Sequence, residues 1–196
     1  MKVLAITGGI GGGKSYVTRI FSALGVPIYL SDDRAKMLYE VDKGLLNDVI
    51  ELLGDSIVEN GVLQRRVMAS IIFSDKDLLA KVEALVFPAV LRDFERWKSA
   101  QCSENGTQFV IFESAIFLEK PLFKADKVLT ISAPREIRIE RIMSRDNMNI
   151  EEIERRIDNQ CADSEREKMS DYVICSDGKS ALLPQVLEIF DRMNEL

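Results

Sequence analysis

Residues Lys2–Ser15, with the sequence KVLAITGGIGGGKS, decide the fold of this 196-residue chain. The first six of them form a nearly continuous apolar run, which is typical of a β-strand buried on both faces. A glycine cluster follows, and from Lys14 to Gly25 the apolar residues recur at helical spacing. Gly8–Ser15 matches the motif G-x-x-x-x-G-K-S/T in full, and it has the strand–loop–helix context that this motif requires. The stretch predicts a phosphate-binding loop.

The spacing of this motif has a physical basis. Successive backbone N–H groups of the loop form a concave anion site, and the N-terminus of the following helix adds its positive end. In such a loop Lys14 reaches the β- and γ-phosphates, and the Ser15 hydroxyl is a ligand of Mg²⁺. The sequence therefore predicts a site for a nucleoside triphosphate with Mg²⁺ on Ser15.

Composition excludes several other classes of protein. The chain has no histidine, so a Ser-His-Asp or Cys-His nucleophile and a His-ligated metal are excluded. A net charge of −6 argues against a broad surface for nucleic acid or anionic membrane. The cysteines Cys102, Cys161 and Cys175 are odd in number and widely spaced, which favours a reducing compartment. With no signal peptide and no long apolar run, we expect a cytoplasmic protein.

Short apolar runs continue along the chain and alternate with helical patterns. This alternation predicts a parallel sheet in a three-layer αβα fold of the P-loop NTPase type. We expect the whole chain, residues 1–196, to form a single domain of this type. Pro88 is expected to kink or restart a helix, and Ser103–Gly106 to form a loop. The further predicted strands are Pro27–Leu30, Phe109–Phe112, Lys127–Ser132 and Tyr172–Cys175, and the core segments are 1–32, 107–134 and 171–196.

A phosphate-binding loop does not by itself distinguish a kinase from a GTPase or a motor ATPase. A GTPase needs an Asn-Lys-x-Asp guanine reader, and the sequence contains no Asn-Lys pair. A motor ATPase usually carries an apolar strand that ends in Asp, for which Phe112-Glu113 is a weaker match. A small-molecule kinase needs an acid near the acceptor hydroxyl and a lid that carries arginine. The chain offers candidates for both.

Asp32 is the candidate acid, because it follows the second predicted strand at the edge of the sheet where α/β folds bind ligands. There it could accept the proton of the acceptor or hold a water of Mg²⁺. The alternative is that Ser31, Asp32 and Asp33 simply cap the next helix. We expect Asp33 to be structural.

Three arginines are candidates for the lid. Arg138, Arg141 and Arg145 have the spacing of one helix face. The alternative is a solvated face paired with Glu136 and Glu140. Because the segment lies between the last two predicted strands, where P-loop kinases place their lid, the lid role is favoured for Arg141 and Arg145.

The residues resemble those of one family, the dephospho-CoA kinases, over nearly the whole chain. Thr7–Ser15, with the sequence TGGIGGGKS, is similar to the family pattern TGGIGSGKS. The chain departs from the family pattern at several places. Gly12 replaces a Ser of the loop, Tyr16 replaces the Thr after Lys-Ser, Leu30 replaces the first Asp of an Asp-Ala-Asp motif, Phe87 replaces the His of a His-Pro pair, and Ala115–Phe117 replaces Pro-Leu-Leu. The other matches are Asp32 with the second Asp of Asp-Ala-Asp, Arg65 with the segment after a Gly-x-Leu turn, Glu119 with the end of Pro-Leu-Leu-x-Glu, Arg141 and Arg145 with the lid arginines, and Gln160, Arg166, Asp171–Ile174 and Gly178 with the C-terminal pattern.

The resemblance implies the last step of coenzyme A biosynthesis, in which ATP phosphorylates the ribose 3′-hydroxyl of dephospho-CoA. It implies a single kinase domain with a helical substrate-binding insertion at about 33–106 and a helical lid at about 135–170. It also implies small-molecule substrates, no nucleic acid or membrane partner, and a monomer or weak homo-oligomer. The alternatives are a kinase of another small hydroxyl acceptor or nucleoside monophosphate, and a non-catalytic nucleotide sensor. The implied site residues are Asp32, Lys14 and Arg141 for catalysis; Gly9, Ile10, Gly11, Gly12, Gly13, Lys14, Ser15, Tyr16, Arg141 and Arg145 for ATP; Asp32, Arg65 and Glu119 for the acceptor; and Ser15 for Mg²⁺.

Overall fold

A five-stranded parallel sheet with flanking helices forms the centre of the larger of two units into which the chain folds. The structure, a computed structural model, describes residues 1–101, 108–146 and 148–196. The larger unit contains Met1–Tyr29 and Gln101–Leu196, and the smaller contains Leu30–Ala100. The predicted loop at Ser103–Gly106 lies outside the described residues.

The predicted strands of the sheet are confirmed, and every strand end lies within one residue of its prediction. The strand order is β2-β5-β1-β6-β7, so the strand that precedes the glycine loop is central. Parallel register pairs Ile6 with Glu113 on one side and with Leu129 on the other. The strands are β1 (Lys2–Thr7), β2 (Ile28–Leu30), β3 (Val58–Glu59), β4 (Val62–Leu63), β5 (Phe109–Glu113), β6 (Lys127–Ser132) and β7 (Tyr172–Cys175).

Helices connect these strands in the order that the sequence predicts. Apolar side chains of β1, β5, β6 and β7 pack with those of the first and last helices into one buried cluster. This packing explains why β1 reads as a continuous apolar run, since Leu4, Ala5 and Ile6 are fully buried. The helices are α1 (Lys14–Ala23), α2 (Ser31–Val41), α3 (Lys43–Leu53), α4 (Arg65–Ile72), α5 (Lys76–Ser99), α6 (Arg135–Asp146), α7 (Ile150–Asp158), α8 (Asp163–Lys168) and α9 (Leu182–Glu195).

The smaller unit contains a hairpin that the sequence analysis missed. Strands β3 and β4 pair antiparallel, with Val58 opposite Leu63. The two residues between them, Asn60 and Gly61, both have positive φ angles, 51° and 78°, which is the requirement of a type I′ turn. The Asn-Gly pair is a strong hairpin signal. Each strand is just two residues long, which is too short for an alternating pattern to reveal it.

Two further expectations for the smaller unit concern helices. Helix α5 does not restart at Pro88, and a buried stripe that includes Val82, Val86 and Val90 runs along both halves of it. The expected kink at Pro88 stays a prediction. The first turn of α2 contains Ser31, Asp32 and Asp33, but the cap position is Leu30, and no side chain caps the helix. The capping interpretation of Asp32 is therefore wrong.

A buried ion pair stabilises the smaller unit. The Nε and Nη2 atoms of Arg34 each donate to one carboxylate oxygen of Asp93, both at 2.8 Å. The Asp93 side chain is 9% exposed and that of Arg34 is 31% exposed, so water screens the pair only partly. Removing one partner of such a pair leaves a poorly solvated charge.

We therefore expect Asp93→Asn to lower the free energy of unfolding by about 2 kcal/mol, which is below the range for a fully buried pair because Arg34 keeps some solvent contact. Urea denaturation measures this change. Lys36→Met removes an exposed pair with Asp33 in the same unit and should cost under about 0.5 kcal/mol. Equal stabilities for the two variants would contradict the assignment.

Candidate nucleotide-binding site

The glycine loop joins the end of β1 to the start of α1. Gly13 occupies the cap position of α1 with a φ of 103°, a conformation that side-chain-bearing residues rarely adopt. A Cβ atom at Gly13 would also lie 2.8 Å from the Ser176 hydroxyl oxygen, which follows β7. The loop therefore starts the helix at Lys14, with its first N–H groups directed toward the loop as an anion site requires.

The structure brings most of the predicted ATP-binding residues together around one pocket of about 160 Å³. The Lys14 ammonium lies over the loop and donates to the Gly8 carbonyl at 2.7 Å. Gly9 and Ile10 are not among the lining residues, and the Ile10 N–H instead donates to Gln160 at 2.8 Å. The lining residues are Gly11, Gly12, Gly13, Lys14, Ser15, Tyr16, Arg141, Ile142 and Arg145.

Arg141 reaches the loop from α6. The Nη1 atom of Arg141 lies 3.3 Å from the Gly11 carbonyl oxygen and 3.4 Å from the Gly12 carbonyl oxygen. The same atom donates to the Ser176 hydroxyl at 3.1 Å. The Nη2 atom donates to the Ser176 carbonyl at 3.0 Å. A cation held on the loop carbonyls stands at the wall of the phosphate pocket. It is therefore placed where it could meet negative charge on a bound phosphate.

Arg145 lies at the exposed rim of the same pocket. Its guanidinium makes two hydrogen bonds to the neighbouring Asp146 carboxylate, at 2.7 and 2.6 Å. The hydrogen bond from Arg145 lowers the pKa of Asp146. Of the two predicted lid arginines, Arg141 thus contacts the loop, whereas Arg145 pairs with an acid beside it.

Arg138 is the residue whose role the sequence analysis missed. Its side chain is 4% exposed, so the solvated face, which the sequence left open as an alternative, is excluded for this residue. The signal was available, because Arg138 is one helical turn before Arg141 and must face the same way. The sequence leaves pairing with Glu136 and Glu140 as an alternative and favours the lid role only for Arg141 and Arg145.

Glu119 forms an ion pair within the larger unit. It accepts a hydrogen bond from Nη2 of the fully buried Arg166 at 3.2 Å, and Nη1 of Arg166 donates to Asp163 at 2.7 Å. The implied role of Glu119 in acceptor binding stays a prediction.

Asp32 and Arg65 belong to the smaller unit. Asp32 is exposed in the first turn of α2. Arg65 binds the same helix, because its Nη2 atom donates to the Glu40 carboxylate at 2.6 Å and to the Lys36 carbonyl at 3.2 Å. The structure thus joins Arg65 to the helix that carries Asp32, and their roles toward an acceptor stay predictions.

Within the described ranges, no cluster of three or more Cys, Asp or Glu side chains forms a metal site. No helix in that part of the chain is long and apolar enough to span a membrane.

The fold and the pocket together define the class of protein. The Gly-Lys-Ser loop follows the central strand of the parallel sheet. Arg141, from the helix between the last two strands, contacts that loop. These features define a P-loop kinase.

Comparison with known proteins gives the family. A model of the dephospho-CoA kinase family matches residues 2–181. The chain is 36% identical over 193 residues to the dephospho-CoA kinase of Porphyromonas gingivalis, covering 97% of this chain and 94% of the relative. It is 33% identical over 187 residues to that of Bacteroides fragilis, covering 95% and 90%. A crystal structure from Thermus thermophilus matches with a TM-score of 0.84 at 29% identity, covering 96% and 95%. The chain belongs to the dephospho-CoA kinase family.

Proposed function

We propose that the protein transfers the γ-phosphoryl group of ATP to the ribose 3′-hydroxyl of dephospho-CoA, giving ADP and coenzyme A. The observation that carries this proposal is the pocket formed by Gly11–Tyr16 with Arg141 on its wall, in a chain that matches the family model over residues 2–181. The pocket supplies the groups that phosphoryl transfer needs, and family membership supplies the acceptor.

The reaction requires charge stabilisation more than covalent chemistry. The acceptor oxygen bonds to the γ-phosphorus while the bond from that phosphorus to the β–γ bridging oxygen breaks, and ADP leaves with the bridging oxygen. Lys14 and the loop N–H groups hold the β- and γ-phosphates, and Arg141 meets the charge that spreads over the transferring group. The proton of the acceptor passes to Asp32, which we assign as the base in a chain without histidine.

Mg²⁺ fits this donor set as a partner of the nucleotide. Ser15 lines the pocket beside Lys14, and Mg²⁺ characteristically combines one or two protein oxygens with phosphate oxygens and waters. The absence of an all-protein acidic cluster among the described residues agrees with an ion that binds mainly through phosphate. We propose that Ser15 holds Mg²⁺, which neutralises phosphate charge when it is bound.

Arg141→Ala should lower kcat more than it raises the KM for ATP, because the charge it meets is greatest in the transition state. We expect kcat to fall by about 10²-fold, on the order of 3 kcal/mol of transition-state stabilisation. Steady-state kinetics with varied ATP measures both parameters, and Arg135→Ala on the exposed part of α6 is the control. A rise in KM alone would make Arg141 a ground-state binder.

A coupled assay of ADP release tests the proposed acceptor. It compares dephospho-CoA, AMP, pantothenate and shikimate at equal concentrations with saturating ATP. We expect ADP release to depend on dephospho-CoA, and turnover with another acceptor instead would favour the alternative kinase. ADP binding without turnover on any acceptor would favour a nucleotide sensor. A cytoplasmic enzyme that acts as a monomer or weak homo-oligomer stays our prediction.

A further inference from the structure

The buried Arg138 side chain lies against the start of the phosphate-binding loop. Its Nε atom donates to the Ile10 carbonyl at 2.8 Å, and its Nη2 atom donates to the Gln160 side-chain oxygen at 3.2 Å. Its Nη1 atom pairs with Asp163 at 2.6 Å. All three guanidinium nitrogens are therefore engaged, and the side chain is fixed in one orientation.

Ile10 is partly buried, and three contacts join it to residues between 138 and 160. Its carbonyl accepts from Arg138, and its N–H donates to the Gln160 side-chain oxygen at 2.8 Å. Its side chain packs against a buried cluster of Ile142, Ile153 and Ile157. The Ile10 N–H points to Gln160, and the loop residues that line the phosphate pocket are those from Gly11 onward.

Gly9 completes this contact. A Cβ atom at Gly9 would lie 2.6 Å from Cζ and 2.9 Å from Nη1 of Arg138, so the guanidinium rests directly on the Gly9 backbone. Gly9 does not have a positive φ angle, so its backbone conformation is open to other residues. A methyl group at Gly9 would therefore have to displace the Arg138 guanidinium, and the hydrogen bonds and ion pair of that group oppose the displacement.

We propose that Arg138 and Gln160 are positioning residues of the phosphate-binding loop. They act through Ile10 and hold the loop in the conformation that binds ATP, and they connect it to the helix that carries Arg141. Neither residue lines the phosphate pocket. The inference rests on the proposed function, since it takes the loop to bind the phosphates of ATP. A loop held in advance loses less conformational freedom on binding, which raises affinity without a new contact.

The affinity for ADP tests this role, measured by calorimetry without any acceptor. Gln160→Met keeps the size of the side chain and removes the acceptor of the Ile10 N–H. We expect the Kd for ADP to rise about tenfold, since small displacements of a binding group have effects of this order or larger. Gln160→Glu retains an acceptor oxygen and should stay within about threefold of wild type. Arg138→Met should match or exceed the effect of Gln160→Met.

Arg135→Met is the matched control, because Arg135 also links α6 to α7, through Asp158 at 2.6 Å, but does not contact the loop. We expect it to lower the melting temperature modestly and to leave the Kd for ADP unchanged. If Gln160→Met and Arg138→Met also change only the melting temperature, the positioning role is overturned. If Arg138→Met fails to fold, the comparison of Gln160→Met with Gln160→Glu tests the positioning role.

A double-mutant cycle tests the contact between Gly9 and Arg138 directly. In the wild-type background Gly9→Ala should raise the Kd for ADP about tenfold, because its methyl group displaces the guanidinium. In an Arg138→Ala background the same change should cost less than about threefold, since the space is then open. Additive effects would overturn the contact as the reason for glycine. Failure of the wild-type chain to bind ADP would overturn the proposed function as well, whereas normal binding in all variants would overturn the positioning role alone.

Discussion

Lys14→Ala should lower turnover by at least about 10²-fold, on the order of 3 kcal/mol of transition-state stabilisation. The Lys14 ammonium lies 2.7 Å from the Gly8 carbonyl oxygen and lines the pocket with the loop residues, so it is a fixed positive charge at the phosphate site. Alanine leaves no charge that can replace it. Acceptor-dependent ADP release measures the loss.

The melting temperature of Lys14→Ala separates loss of charge from loss of structure. We expect it to stay near that of wild type, because α1 is held by the buried Val17 and Phe21 rather than by Lys14. Lys127→Ala, which removes a lysine paired with Asp171 at 2.9 Å, is the control for loss of a surface charge. Near-normal turnover of Lys14→Ala would contradict the phosphate-binding assignment.

Asp32→Asn should also lose about 10²-fold or more in turnover while the protein stays folded. The base must be ionised, and the amide of asparagine cannot accept the proton of the acceptor. The Asp32 side chain is exposed and caps no helix, so the substitution removes no structural contact that would explain a loss of activity.

Asp33→Asn is the matched control for this variant. Asp33 is the next residue along the chain, is equally exposed, and pairs with Lys36 at 2.8 Å. An exposed pair of this kind contributes little, so we expect a mild effect on both turnover and stability. The reverse pattern, with Asp33→Asn inactive and Asp32→Asn active, would move the base to Asp33.

The sequence predicts the strands of the larger unit correctly because the signals for them are local and strong. The apolar run of β1, the glycine loop and the helical stripe of α1 each have one physical interpretation, and together they require a P-loop fold. The other strands of the sheet followed from short apolar runs, since a strand covered on both faces has no polar side.

The remaining features depend on contacts between distant residues. The burial of Arg138 is decided by Ile10 and Gln160, which are far from it in sequence, and a charged residue on an amphipathic helix otherwise favours solvent. The continuity of α5 through Pro88 depends on its buried stripe in the same way. The local pattern places Asp32 after a strand and near the start of a helix. It does not distinguish an Asp32 that caps the helix from one that lies in its first turn.

Product analysis of a single reaction tests the central claim most directly. The purified chain, ATP, Mg²⁺ and dephospho-CoA are incubated together, and the products are identified by mass and by phosphorus NMR. We predict coenzyme A phosphorylated at the ribose 3′-oxygen, formed in equal amount with ADP and abolished by Lys14→Ala. ADP formed without a phosphorylated acceptor, or a phosphate at another position, would contradict the account.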